Sequence, residues 1–167
     1  SHDVFPFDDN RRANQPNEIQ AVAGGLHPRA AGGTEPGSLV LVGHRAGLTV
    51  GFGSNAFPAG DLTGAVSWRW ATFTTAAGMS GLAVLDVAGA WAGSSSDLAV
   101  GAQKAVEAPP TAWLVGTESG LTLVANRLRE GAPDAALPFD YADNWIRRYT
   151  TDGLPSNTVQ AVLFVGL

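Results

Sequence analysis

One sequence pattern occurs twice in the chain and begins a third time. Residues 41–50 return 73 residues later as residues 114–123, and both copies read LVG, three variable residues, then GLT and an aliphatic residue. Two shorter echoes agree: residues 70–75 return as 145–151, and residues 17–22 return as 157–162. Repetition at this scale is typical of arrays in which each unit packs on its neighbour. It predicts one domain, 1–167, with repeat units at about 17–80 and 81–155 and a partial unit at 156–167.

The composition fits short strands joined by turns. The chain is 45% hydrophobic and 15% charged, with 21 Gly and 10 Pro, which argues against both disorder and long helices. A formal net charge of −5 without a run of Lys or Arg predicts no nucleic-acid partner. We expect no membrane span, since no apolar stretch is long enough, and the lack of cysteine excludes disulfides and thiolate sites.

Short apolar runs between Gly, Pro, Asn or Ser predict β-strands along the whole chain. We expect them at about residues 19–23, 39–44, 47–52, 67–74, 82–87, 98–102, 113–117, 121–125, 145–150 and 159–165. The short links at 45–47 and 118–120 predict antiparallel hairpins in which Gly47 and Gly120 take a positive φ. Longer gaps at 24–37, 53–64, 104–111 and 126–143 predict surface loops.

One segment carries a family resemblance. Residues 145–162, which read WIRRYTTDGLPSNTVQAV, resemble the two-component-regulator propeller repeat, whose blades join a strand ending in Y-T to the next blade through D-G-L-P-S-N-x-V. Residues 113–121 and 97–101 resemble the second strand of that repeat. The resemblance implies an all-β fold of four-stranded antiparallel blades around a channel. It also implies that residues 152–155 cross between blades and that Leu154 is buried there.

The number of repeats does not suffice for a closed propeller. Two blades and a partial one form an incomplete ring, since closed propellers have about four to eight blades. Missing flanking blades or other copies of the chain would complete it, and a β-sandwich is the alternative fold. The last strand, 158–165, is apolar and nearly uncharged, so we expect it to pair with polypeptide outside this sequence or with another copy.

The resemblance implies a non-catalytic, sensory role in the periplasm or outside a bacterial cell, with recognition of a partner or a ligand such as a glycan. Aromatic and polar loop side chains are the candidates for ligand binding: Trp68, Trp91, His44, Arg45 and Tyr141. We expect His44 and Arg45 to be exposed at a hairpin tip, and Trp70, Trp113 and Trp145 to pack between blades. The chain has no G-x-S-x-G elbow and no paired histidines, which argues against a serine hydrolase or a zinc enzyme.

A second resemblance belongs to a different class of function. His27-Pro28 and residues 38–50 are similar to the first blade of β-propeller phytases, which implies a calcium-dependent phosphohydrolase as the alternative. The acidic pair expected before His27 is absent, because residues 20–25 read QAVAGG. Carboxylates are the oxygen ligands that Ca²⁺ prefers, and the candidates are Asp8, Asp9, Asp140 and Asp143. We expect no other cofactor, and a purely structural scaffold is the remaining alternative.

Overall fold

The protein folds as two four-stranded antiparallel sheets. The computed structural model describes residues 18–27, 37–53, 68–90, 109–133 and 136–163. Sheet 1 contains β1 (Ile19–His27), β2 (Gly37–His44), β3 (Gly47–Gly53) and β4 (Trp68–Phe73). Sheet 2 contains β5 (Val84–Ala90), β6 (Ala112–Thr117), β7 (Gly120–Ala125) and β8 (Trp145–Arg148). Both sheets follow chain order, so the predicted all-β class with four-stranded antiparallel sheets is confirmed.

Most predicted strands coincide with observed ones. Residues 98–102 lie outside the described residues, and residues 159–163 form no strand. The gap at 126–143 is more than a surface loop, because two short 3-10 helices, Pro138–Asp140 and Ala142–Asn144, fold part of it back and bury Phe139. In the described part of the chain, no helix has the length and hydrophobicity needed to cross a bilayer.

The two repeated hairpins have the same geometry. His44 pairs with Gly47 in the first, and Thr117 pairs with Gly120 in the second. The glycine φ angles are +141° and +152°, so the predicted turn positions are confirmed. A Cβ at Gly47 would lie 2.5 Å from the Phe73 carbonyl oxygen, and one at Gly120 would lie 2.6 Å from that of Arg148. The repeated glycine therefore lets the outer strand of each sheet approach the hairpin.

The core lies between the two sheets. Sheet 1 contributes Leu39, Leu41, Leu48, Val50, Phe52 and Phe73, and sheet 2 contributes Val84, Val87, Trp113, Val115, Val124 and Trp145. Glycines in sheet 1 allow the close approach: a Cβ at Gly43 would collide with Val84, and one at Gly25 would lie 3.0 Å from the Trp113 ring. The sheets therefore pack face to face, as adjacent propeller blades and the layers of a β-sandwich both do.

Aromatic side chains close one end of this core. Phe73, Phe139 and Trp145 have ring centroids 5.5–5.9 Å apart, and Trp145 Nε1 donates a hydrogen bond to the Phe139 carbonyl at 3.0 Å. Trp113 and Trp145 lie between the sheets as predicted. Trp70, the repeat equivalent of Trp145, faces away from sheet 2 and its ring covers Gly51 on the far side of sheet 1, because side chains alternate along a strand and Val50 and Phe52 face sheet 2; its packing against a preceding blade stays a prediction.

The link from sheet 1 to sheet 2, residues 74–83, is fastened to sheet 2 by side chains. The Ser80 amide donates to Thr122 Oγ1 at 2.8 Å, and the Ser80 hydroxyl is 3.1 Å from Thr117 Oγ1. Arg147 Nε donates to the Gly78 carbonyl at 2.8 Å. Met79 is 1% exposed, so the link also contributes to the core between the sheets.

Candidate binding groove

Sheet 2 presents a second aliphatic surface, opposite sheet 1. Because Trp113, Val115 and Val124 point into the core, their strand neighbours point the other way. We call this side the outer face of sheet 2; it carries Leu114, Gly116, Leu121, Leu123 and Ile146. The three leucines are half-buried and Ile146 is 42% exposed. A face this apolar, left partly open, is typical of a binding surface.

The segment 154–163 crosses the outer face and is pinned to it. The Val159 amide donates to the Thr117 carbonyl at 2.9 Å, and the Val162 amide donates to Asp86 Oδ2 at 2.8 Å. A Cβ at Gly116 would lie 2.6 Å from the Val159 carbonyl oxygen and 3.3 Å from Val162 Cγ1. Gly116 therefore provides the space in which this segment sits.

A groove of about 390 Å³ runs between that segment and the sheet. Its floor is formed by Leu114 and Leu121, and its opposite wall is formed by residues 154–163. The polar groups at the groove are the side chains of Ser156, Thr158 and Gln160. The other described lining residues are aliphatic side chains and one proline, so the surface of the groove is mainly apolar.

The structure corrects one predicted ligand residue and places another. His44 was expected to be exposed but is 1% exposed, with Nε2 3.0 Å from Thr49 Oγ1 and Nδ1 accepting the Ala46 amide at 3.2 Å. The repeat explains this, because the side chain lies on the buried strand β2 just before the turn. Arg45 is exposed as expected and forms an ion pair with Glu18 at 2.8 Å.

Tyr141, Asp140 and Asp143 lie together on the loop before β8, in contacts made within that loop. Arg129 stacks over the Tyr141 ring at 4.8 Å and donates to Asp143 Oδ1 at 2.8 Å. This hydrogen bond lowers the pKa of Asp143 below its ordinary value. Asp140 Oδ2 accepts the Leu137 amide at 2.8 Å. Both carboxylates are thus engaged within this loop, Asp143 by the Arg129 guanidinium and Asp140 by the Leu137 amide.

The remaining predicted site residues have side chains outside the described part of the structure. Trp91, Asp8 and Asp9 lie outside the described residues, and of Trp68 only its place at the start of β4 is described. Across the described ranges, no three His, Asp or Glu side chains group as metal ligands would. None of the described candidates lines the groove, which sequence reasoning missed. The available signal was the alternation that sends Leu114 and Leu123 to the same face.

Comparison with known proteins gives no relative for this chain. No family model, no curated protein and no solved structure matches it. Function must therefore be inferred from the chain's own contacts and from the resemblance at residues 145–162.

Proposed function

We propose that this chain is a β-propeller-type module that acts outside the cytoplasm, recognises a ligand or partner, and is not an enzyme. The observation that carries the propeller assignment is a close contact at the same place in both repeats. Val84 packs on Gly43, and Val159 together with Val162 packs on Gly116. Gly43 and Gly116 hold the same place in the repeated hairpin, and Ala83-Val84-Leu85 returns as Ala161-Val162-Leu163. The start of a third unit thus packs on sheet 2 in the way that sheet 2 packs on sheet 1.

The connectivity also favours a propeller over a sandwich. Each sheet is a meander of four consecutive strands, and among the described strands all four of sheet 1 precede all four of sheet 2. Propeller blades have this order, whereas sandwich sheets usually exchange strands through Greek-key connections. The arrangement supports a stack of repeats that would continue into a ring.

Recognition and an extracytoplasmic location rest on the family resemblance. Of the candidate ligand residues whose side chains are described, Tyr141 and Arg45 stand at least partly open to solvent, and Trp68 and Trp91 stay candidates. The half-buried ring of Tyr141 lies beside the guanidinium of Arg129. This pair suits a sugar, because an apolar sugar face can stack on the ring and sugar hydroxyls can form hydrogen bonds with the polar groups. The other polar candidates, His44, Asp140 and Asp143, are engaged in local structure, which supports a role without catalysis.

A glycan array followed by calorimetry tests this proposal. We expect a glycan to bind and Tyr141→Ala or Arg45→Ala to weaken it at least tenfold, while Glu130→Ala, at an exposed position on the same loop as Tyr141, leaves it unchanged. Circular dichroism would confirm that each variant is folded. Calcium-dependent release of phosphate from phytate would overturn the proposal in favour of the enzyme, and the absence of any bound glycan would favour the scaffold.

A further inference from the structure

We infer that the outer face of sheet 2 docks a strand pair of the same repeat type, which joins residues 159–163 to build a third sheet. This inference rests on the proposed propeller-type stacking and names the partner of one surface. The floor and the wall of the groove both have repeat counterparts in the core between sheets 1 and 2. By this comparison the groove is the unfilled half of an inter-sheet core.

The floor of the groove has a buried counterpart in sheet 1. Leu41, Leu48 and Val50 are all 0% exposed, because sheet 2 covers them. Their repeat equivalents, Leu114, Leu121 and Leu123, are half-buried. The strands, pairing partners and side-chain types are alike, so the difference lies in what covers them.

The wall of the groove has a counterpart in the link between the sheets. Met79 and Val84 are 1% and 0% exposed, whereas Leu154 and Val162, which follow the second sheet in the same way, are half-buried. The predicted burial of Leu154 is therefore only half realised. Both wall residues already face the groove, and each would be covered by strands stacked alongside.

The interface between sheets 1 and 2, which we call the first interface, indicates which kinds of side chain would fill the groove. The core that covers Leu41 and Leu48 includes Trp113, Val115 and Val124 of the β6–β7 hairpin, together with Val84 and Val87 of β5. A strand pair that presents an indole and β-branched side chains would fill the groove in the same way. A glycan would leave hydroxyl groups facing Leu114 and Leu121 without hydrogen-bond partners, which is unfavourable.

A second copy of the chain cannot supply this strand pair in its folded state. Its own β6–β7 hairpin is committed to its own core, where Trp113, Val115 and Val124 are 0% exposed. Releasing the hairpin would uncover that core. The occupant in this proposal is a strand pair from a further repeat, outside the two sheets described here, and a second copy docked by another of its faces is an outcome of the test below.

The probe is a backbone-cyclised peptide of residues 112–125, which carries the hairpin that fills the first interface. Titrated into the whole chain by calorimetry, it is expected to bind at a single site. Leu121→Ser is expected to raise the Kd at least tenfold, because it puts a hydroxyl in the groove floor. Glu130→Ala, away from the groove, is the matched protein control, and a peptide with Trp113→Ser and Val115→Ser is the matched peptide control.

Hydrogen exchange locates the contact without any variant. On addition of the peptide, the amides of residues 121–123 and 159–163 should exchange more slowly, while those of β2 and β3 should not change. Failure to bind, or binding that Leu121→Ser leaves unchanged, overturns the inference. A dimer of the free chain that Leu121→Ser dissociates also overturns it, because a second copy would then cover the face.

The two proposals fail separately. Loss of glycan binding in Tyr141→Ala tests only the proposed glycan recognition and says nothing about docking at the groove. A bound glycan that competes with the peptide would place the ligand in the groove and overturn the docking inference alone. Peptide binding without any glycan would overturn recognition and keep the stacked repeat.

Discussion

The interface between the two sheets and the outer face of sheet 2 carry the same repeat residues in different surroundings. Leu41 is 0% exposed in the first, and its equivalent Leu114 is half-buried in the second. Both sit in the middle of a four-stranded meander, paired to the same kinds of neighbour. The comparison shows that the strand sequence is enough to form the sheet. Whether the face of the sheet that points away from its own core is also buried depends on what packs on it.

The largest expected effect comes from truncating the equivalent leucine to alanine in each of the two regions. Leu48→Ala should lower the free energy of unfolding by about 2–5 kcal/mol, because a fully buried side chain leaves a cavity. Leu121→Ala should cost about 1 kcal/mol, since a half-buried side chain loses less transfer energy. Urea denaturation of both variants measures the difference. Equal losses would mean that the outer face is as closely packed as the interface.

The repeated turn glycines should behave alike in both sheets. Gly47→Ala and Gly120→Ala force a side chain into a positive φ, which costs about 1–3 kcal/mol, and each Cβ also meets a backbone oxygen. Gly131→Ala is the control, with φ +71° and no atom within 4 Å of the added Cβ. Thermal unfolding should rank Gly131→Ala as the mildest of the three. A Gly120→Ala protein as stable as the control would contradict the turn geometry.

A smaller loss is expected where the repeated threonine holds the link between sheets. Thr122→Val removes the acceptor of the Ser80 amide, and the loss should be about 1 kcal/mol, the lower end of the cost of an unpaired buried group, because Ser80 is only partly buried. Thr151→Val, at an exposed position, is the matched control. Hydrogen exchange at Ser80 should accelerate in the first variant only. Unchanged exchange there would show that water replaces the hydroxyl without loss.

The smallest effect is a pH dependence at the loop before β8. Arg129 lowers the folded-state pKa of Asp143, so the bridge stabilises the fold above the carboxyl's ordinary pKa. That contribution is lost as the pH falls below about 4 and through the lowered folded value. Asp143→Asn should flatten the fall in melting temperature over this acid range only slightly, because the pair is exposed and screened by solvent. A steeper fall in the variant would show that the pair opposes folding.

Local rules predicted the hairpins well and burial less well. The repeat places Gly47 and Gly120 at their turns because a positive φ is a property of the local backbone. The burial of His44 and the position of Trp70 depend on which face of sheet 1 is covered, which strand sequences do not state. Phe139 was missed because its loop resembles a solvated one until Trp145 Nε1 donates to its carbonyl.

The groove shows the same limit. Alternation along β6 and β7 places the floor residues Leu114 and Leu121 on one face, yet the opening of the groove depends on the path of residues 154–163 over the sheet. The resemblance at D-G-L-P-S-N predicts that a crossing begins there. It does not predict that Leu154 is left half-buried, because that depends on strands that would stack beside it.

Gly116 holds Val159 and Val162 although neither belongs to a strand among the described residues. On the proposed stacking, sheet 2 holds the start of the next sheet although these residues form no strand of their own. During synthesis, when the N-terminal part of a chain folds first, each completed sheet would serve as the template on which the next one nucleates. Growth of such an array would be directional, and the entropy of placing each new strand would be lost in small steps along the emerging chain instead of all at once.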